Sequence, residues 1–293
     1  MPLRTNFENK EIDLLSNLGI VGSPTPLKDG HAKITGAMQF LPDINLAGML
    51  YASFVTSIYP HARVKEIRTN KAQASPGVRA VLTANDLPYV EPDKRFSFLL
   101  ARDRVLFVGH PVAIVVANSE AAAVDGVGLV SVEYEELPAA VTMDQAMAQD
   151  APLVWPNGIP GASDDASAHG ATTDSNDSES DGQSNLAARK LFRRGNVDKG
   201  FAESDIIVQH TYQTQGVHQG YLETHGIIAQ PDEARTGIKM WTSTQGIFEV
   251  RDRVADLLDI PEADVHVTGT PLGGGFGGKF PIYEGLMALV ALR

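Results

Sequence analysis

An α+β fold in two compact units is predicted by three observations on this chain. Short apolar runs rich in β-branched residues alternate with helical segments. An acidic, serine-rich stretch divides the chain past its middle. The 293 residues, 43% of them hydrophobic, are enough for two sizeable cores.

In the first half, Ala80-Val81-Leu82 and Val112-Ala113-Ile114-Val115-Val116 predict strands buried on both faces. Ser119 is placed to cap a helix running from Glu120 to about residue 129, its hydroxyl accepting from a first-turn N–H. Gly126 and Gly128 in that helix each cost about 1 kcal/mol relative to alanine, which close packing would have to offset. Residues 130–134 alternate like a half-covered strand. In the second half, 196–205 predicts a short helix and Ile206-Ile207-Val208-Gln209-His210-Thr211-Tyr212 a strand. A strand at 240–242 leads through a polar turn to a helix at 247–258, and a strand at 265–267 leads through a glycine-rich loop to a helix at 283–292. That last helix is apolar along Leu286, Met287, Leu289, Val290 and Leu292, more than one face can hide, so exposed surface and aggregation or partner binding are expected.

Composition narrows the function classes. No apolar run approaches the roughly 18 residues of a membrane span, and residues 1–6 lack a signal peptide's apolar core, so a cytoplasmic location is the default expectation. The absence of cysteine rules out disulfides, thiolate metal ligands and cysteine-held iron–sulfur clusters on these residues. Residues 162–185 hold six acidic side chains and no lysine or arginine, half of the formal net charge of −12, and so acidic a chain does not suit nucleic acid. His210, His218 and His225 lack the spacing of zinc ligands. Glu223 could serve as a catalytic carboxylate or as a packed structural acid.

The most informative segment is Thr270-Pro271-Leu272-Gly273-Gly274-Gly275-Phe276-Gly277-Gly278-Lys279-Phe280. Five glycines around one phenylalanine permit φ > 0 and close backbone approach, and they bare N–H groups. From the residues alone, three readings stand. Gly273 to Lys279 has P-loop spacing, but Phe280 replaces the Ser or Thr that would hold magnesium. Gly273, Gly275 and Gly278 satisfy G-x-G-x-x-G, yet the acidic ribose partner expected about 20 residues on falls beyond Arg293. The third reading is a tight turn that needs glycine for packing only.

Three segments together, Gln215-Gly216-Val217-His218-Gln219-Gly220-Tyr221-Leu222-Glu223-Thr224, Met240-Trp241-Thr242-Ser243-Thr244-Gln245-Gly246 and the glycine loop, resemble the molybdenum-binding subunit of the molybdenum hydroxylases, the xanthine dehydrogenase and aldehyde oxidase family. The first half resembles the same family in order: Val21-Gly22 with Lys28 to Gly36, Gly48-Met49-Leu50-Tyr51-Ala52, Pro60-His61-Ala62-Arg63, residues 76–88, Val108-Gly109-His110-Pro111-Val112-Ala113 and residues 132–138. The resemblance covers nearly the whole chain outside an insert at about 156–188.

What it implies is specific. The fold would be an N-terminal extension at 1–20, a hammerhead-like α/β domain at 21–155, an acidic linker at 156–188, and an incomplete first part of the molybdenum-cofactor-binding domain at 189–293. Gln245 would hydrogen-bond a ligand of molybdenum. Gly274, Gly275, Phe276 and Gly277 would pass beside the pterin and the metal, while Phe276 and Phe280 would shape the substrate pocket. The cofactor would be molybdenum-molybdopterin, as the cytosine dinucleotide if the source is bacterial, with no iron–sulfur cluster or flavin on this chain. The family's reaction hydroxylates carbon with water and passes electrons through iron–sulfur centres to a flavin or another acceptor. Purine-oxidising members carry glutamate where Phe280 stands, so the resemblance implies an aldehyde or heteroaromatic substrate instead of xanthine. Partners would be the remaining C-terminal part of the large subunit, an iron–sulfur subunit and a flavin subunit. The family's general-base glutamate and further pterin loops have no match here, which implies inactivity without that part. The alternative is a cofactor-free relic or interaction protein that keeps only the fold.

Residues 162–185 have almost nothing to bury against an ordering cost of roughly 1–2 kcal/mol per residue. Limited proteolysis is therefore expected to cut there first. First cuts within 108–137, with the acidic stretch resisting, would refute this boundary.

Overall fold

The computed structural model describes residues 24–88, 100–156, 185, 194–234 and 236–293. Residues 1–20, and all of 156–188 except 156 and 185, lie outside the described residues. Among those described, the first unit runs α1 (Gly30–Ile34), β1 (Tyr51–Thr56), β2 (Ala62–Arg68), α2 (Asn70–Gln73), β3 (Val78–Thr83), β4 (Arg104–Val105), β5 (Pro111–Ala117), α3 (Glu120–Val127), β6 (Ser131–Glu136) and α4 (Met143–Met147). The second runs α5 (Val197–Glu203), β7 (Ile227–Pro231), β8 (Ile238–Thr242), α6 (Ile247–Leu258), β9 (Val265–Gly269) and α7 (Glu284–Leu292).

The first unit pairs its strands in two antiparallel sheets, β1-β5-β3 and β4-β2-β6. Strand β5 is central, with Ser53 and Val81 facing Val115 on either side, and nearly all its residues are buried, as its unbroken apolar run requires. Strand β3 departs from expectation. It lies at a sheet edge and buries only Val81, because an edge strand is covered by a neighbour along one side only. Val55, Val81, Val112 and Val115 from one sheet share a core with Ala62 and Val105 from the other.

Helix α3 starts where Ser119 caps it, its Oγ accepting from Ala122 N–H at 3.2 Å. The glycine cost in this helix has a physical cause. A Cβ at Gly126 would come within 2.7 Å of Val115 Cγ1, so the helix can sit this close to β5 only without a side chain there. Gly128 is the C-cap and bears no helix-interior cost.

In the second unit β8 lies between antiparallel β7 and parallel β9, with α6 crossing from β8 to β9. Val250, Val254 and Ala255 of α6 pack on Ile238, Met240 and Val265. Two expectations change here. Residues 206–212 form no strand: Ile206, Val208 and Tyr212 are exposed, and no edge among the described residues supplies the ladder that a strand needs. Helix α7, expected to leave apolar surface bare, does so only in part: Leu286 and Leu289 are buried, while Met287, Val290 and Leu292 are half-buried. Ala288 and Ala291 pack into the second unit's core, while Leu286 and Leu289 join Ala84, Leu87 and Leu100 of the first, with the Phe54 and Tyr283 rings 5.0 Å apart. The two units are thus packed through α7. Asn185, the last residue of the acidic stretch, accepts from Val154 N–H and donates to the carbonyls of Ala146 and Pro152 through its side chain.

The polar anchor of α7 is Glu284, which is buried. Its Oε1 lies 2.9 Å from His225 Nε2 and accepts from Thr242 Oγ1 at 2.9 Å; its Oε2 accepts from Ile282 N–H at 2.8 Å. Burial pushes this carboxyl up, but the hydrogen bond and charge of His225, with the bonds from backbone and Thr242, outweigh it and hold the group below the usual carboxylate range.

Leu286→Ala is expected to lower stability by about 2–5 kcal/mol in urea unfolding, since the side chain fills the seam between the units. A loss under about 0.5 kcal/mol, typical of a surface position, would show that α7 does not couple them. For Glu284 the lowered folded value means that its contribution is full above the unfolded carboxylate range, about pH 4.3, and fades as pH falls through the folded value. The difference in melting temperature between parent and Glu284→Gln should therefore be fully developed just above the unfolded carboxylate range and shrink below about pH 4. A difference constant down to pH 3, on the order of one unit below that range, would contradict this.

Candidate functional site

The site forms where β8 ends. Beyond Thr242 the chain turns through Ser243 and Thr244, both buried, to the exposed Gln245. The turn's polar groups are satisfied locally. Ser243 Oγ accepts from Gly226 N–H at 3.0 Å, and Thr244 Oγ1 donates to Lys279 C=O at 3.2 Å. Gln245 N–H donates to the same carbonyl at 2.8 Å. Gln245 Oε1 in turn accepts from Gly277 N–H at 3.0 Å and Lys279 N–H at 3.4 Å. With its oxygen engaged by two backbone donors, the amide presents Nε2 as a donor that has no partner among the described residues.

The loop at 273–279 needs its glycines for close approach. A Cβ at Gly273 would lie 2.5 Å from Glu223 Cβ, and one at Gly275 would lie 2.6 Å from Gln245 Oε1. At Gly278 it would meet the Gln219 amide at 2.8 Å. Gly274 and Gly277 have φ of 101° and 82°, and between them Phe276 takes φ 49°. A non-glycine residue in this region costs on the order of 1–3 kcal/mol, strain of a kind concentrated at functional sites. The ring is 73% exposed, so burial does not offset it. The N–H groups of Gly274, Gly275 and Phe276 have no hydrogen-bond partner among the described residues.

Beneath the loop lies a pair that sequence reasoning missed. Lys279 is fully buried, its Nζ 2.5 Å from Glu223 Oε2 and 5.1 Å from the centre of the Tyr221 ring. The same Glu223 oxygen accepts from Gly273 N–H at 2.8 Å, while Glu223 N–H donates to Gly273 C=O at 3.1 Å. Glu223 is therefore the packed structural acid, and Lys279 is engaged by it instead of facing a phosphate as a P-loop lysine would. The only sequence signal was a lysine closing a glycine run and a glutamate between Leu222 and Thr224, and nothing in either segment says that they meet.

Of the residues singled out from sequence, Gln245, Gly275 and Gly277 are brought into contact, and Gly274 and Phe276 share their loop. Phe280 follows at 47% exposure, its ring outside the loop's hydrogen-bond frame. The three histidines do not converge. His218 Nδ1 accepts from its own turn at Gly220, and His225 serves Glu284. No group of three or more His, Asp or Glu side chains that could hold a metal occurs among the described residues. No described helix is long and apolar enough to cross a membrane. What the site can offer is a cradle lined by backbone: glycines at 273, 275 and 278 where a Cβ would clash, three N–H groups with no partner among the described residues, and one oriented amide. These features fit an extended, acceptor-rich cofactor with a polar centre near Gln245.

Two family models match the chain in succession. Residues 35–138 match the aldehyde oxidase and xanthine dehydrogenase a/b hammerhead domain, and residues 179–293 match the molybdopterin cofactor-binding domain. The carbon monoxide dehydrogenase large chain of Afipia carboxidovorans is 34% identical over 299 residues, 99% of this chain and 35% of its own length. The xanthine dehydrogenase molybdenum-binding subunit of Escherichia coli O157:H7 is 32% identical over 89% of this chain and 33% of that protein. Among solved structures, quinoline 2-oxidoreductase from Pseudomonas putida 86 superposes with a TM-score of 0.76 at 29% identity, covering 92% of this chain and 33% of the other. The chain spans about a third of the length of these relatives. Its hammerhead domain, the cofactor-binding domain that follows and the relatives they match place it in the molybdenum hydroxylase family of xanthine dehydrogenase and aldehyde oxidase, where it corresponds to the N-terminal portion of the large subunit.

Proposed function

We propose that this chain forms the first part of a molybdopterin site that hydroxylates an aldehyde or heteroaromatic carbon with water, and that it works with the rest of the large subunit. The observation that carries this is the state of Gln245: its oxygen is held by two loop N–H groups, so its Nε2 is oriented before any ligand arrives. A donor fixed in this way needs no reorganisation when charge develops beside it. When bound, the molybdenum cofactor supplies the two-electron oxidation, and the protein's part is to orient and polarise.

In this reading Gln245 donates to a ligand of the metal. Gly274, Gly275, Phe276 and Gly277 lie along the pterin, with bare N–H groups at 274–276 for its acceptors. Phe276 and Phe280 present apolar rings to the substrate and cannot hydrogen-bond a purine. The cofactor is molybdopterin cytosine dinucleotide if the source is bacterial, and electrons leave to iron–sulfur and flavin groups on partner subunits in the cytoplasm. The domain at 21–155 packs against the cofactor domain at 189–293, with 156–188 as the linker.

The test uses the chain assembled with the rest of the large subunit. Molybdenum analysis and pterin fluorescence after acid oxidation should find cofactor, and none at all would favour a fold that has lost its chemistry. Gln245→Ala is expected to melt near the parent temperature while turnover falls about 10²–10³-fold, the usual cost of one preorganised donor. Unchanged turnover per folded, molybdenum-loaded enzyme would eliminate the assignment. Phe276→Ala should shift substrate preference with little loss of stability, because the exposed ring lacks the roughly 3–5 kcal/mol that a core ring would carry.

A further inference from the structure

We infer that Glu223 and Lys279 are positioning residues for Gln245, acting as a clamp that closes the glycine loop from below. One carboxylate oxygen, Glu223 Oε2, takes the N–H of Gly273 at the start of the loop and the ammonium of Lys279 at its end. The loop's two ends are thereby held to a single point. Lys279 is also the residue whose backbone N–H and C=O both bond Gln245. Its side chain is thus pulled down by Glu223 while its peptide groups hold the Gln245 turn.

A buried ion pair is a poor device if stability is its only purpose. Desolvation consumes most of the attraction, and apolar replacements of similar volume are often as stable. Here, moreover, Glu223 Oε1 is buried with no partner among the described residues, a further cost that an apolar pair would avoid. What an apolar pair could not do is collect Gly273 N–H and Lys279 Nζ on one atom. The Tyr221 ring 5.1 Å from the ammonium confines it on a further side. The geometry is that of a register device, and the register it sets is the one in which Gly277 and Lys279 N–H meet Gln245 Oε1. That Gln245 is thereby aimed at a cofactor rests on the proposed function; the clamp itself does not.

The test reads backbone amide exchange by NMR in the 293-residue chain without cofactor. It compares the parent, Glu223→Gln with Lys279→Met, and Lys279→Arg. The paired substitution leaves no unpaired charge and should melt near the parent temperature. Its amides at 277 and 279, which Glu223 does not touch, should nevertheless exchange about tenfold faster, the effect of losing one hydrogen bond's protection. Amides of Ile114 and Val115 in β5 should keep their rates. Lys279→Arg, which preserves the charge, should stay closer to the parent at 277 and 279. Parental exchange at 277 and 279 in the paired variant would overturn the clamp. So would acceleration there that β5 shares, since that reports global stability alone. If the clamp holds but the assembled subunit takes up no molybdopterin, the functional reading falls by itself; the reverse result removes only the clamp.

Discussion

The peptide group of Lys279 is the point on which the site depends. Its carbonyl accepts from Gln245 N–H and Thr244 Oγ1, its N–H donates to Gln245 Oε1, and its ammonium is buried against Glu223. Three separated segments, at 221–223, 242–245 and 273–279, therefore meet around one residue. Each belongs to a different supporting element. The turn leaves β8, the loop leaves β9, and 221–223 precedes β7. The parallel β8-β9 pair sets the two departures side by side, with Thr242 opposite Gly269. The sheet supplies the distance, and Lys279 sets the closure.

Packing and function are not rival explanations of the glycines. Gly273, Gly275 and Gly278 are required because the loop lies against Glu223, Gln245 and Gln219, as a purely structural turn would require. That same tightness brings Gly277 N–H to Gln245 Oε1 and leaves the N–H groups of Gly274, Gly275 and Phe276 without partners among the described residues. The P-loop spacing was coincidental for an equally physical reason: a lysine committed to a buried carboxylate cannot also reach a phosphate.

Local signals were legible in the sequence and tertiary ones were not. Helix α6 occupies the range that its pattern predicts, and Ser119 caps α3, because capping and periodicity are decided within a few residues. Residues 206–212 have a strand's composition but no ladder, since a strand also needs a neighbouring edge. The apolar excess of α7 was visible, but its cover was not. Leu286 and Leu289 are buried by Ala84, Leu87 and Leu100, far away in sequence. Asn185 looks like linker by composition, yet its amide is matched to three backbone groups at 146–154. Gln245 and the loop were singled out through family resemblance, whereas the Lys279–Glu223 pair spans 56 positions and leaves no periodic trace.

Around the loop the usual distribution of side chains is inverted. Lysine is the residue type least expected in a core, and Lys279 is wholly buried; phenylalanine belongs inside, and Phe276 is 73% exposed at a strained φ. Both departures cost free energy, one through desolvation and the other through backbone strain and hydrated apolar surface. Neither is an accident of a loosely packed loop, because the glycines on either side of Phe276 are held by contacts of definite length. A fold selected for stability alone would reverse the two, with the aromatic beneath the loop and the ammonium in water. The arrangement makes sense if the surface above the loop must be apolar and rigid and present only backbone N–H groups and one amide as donors. That is what the proposed function would require of it.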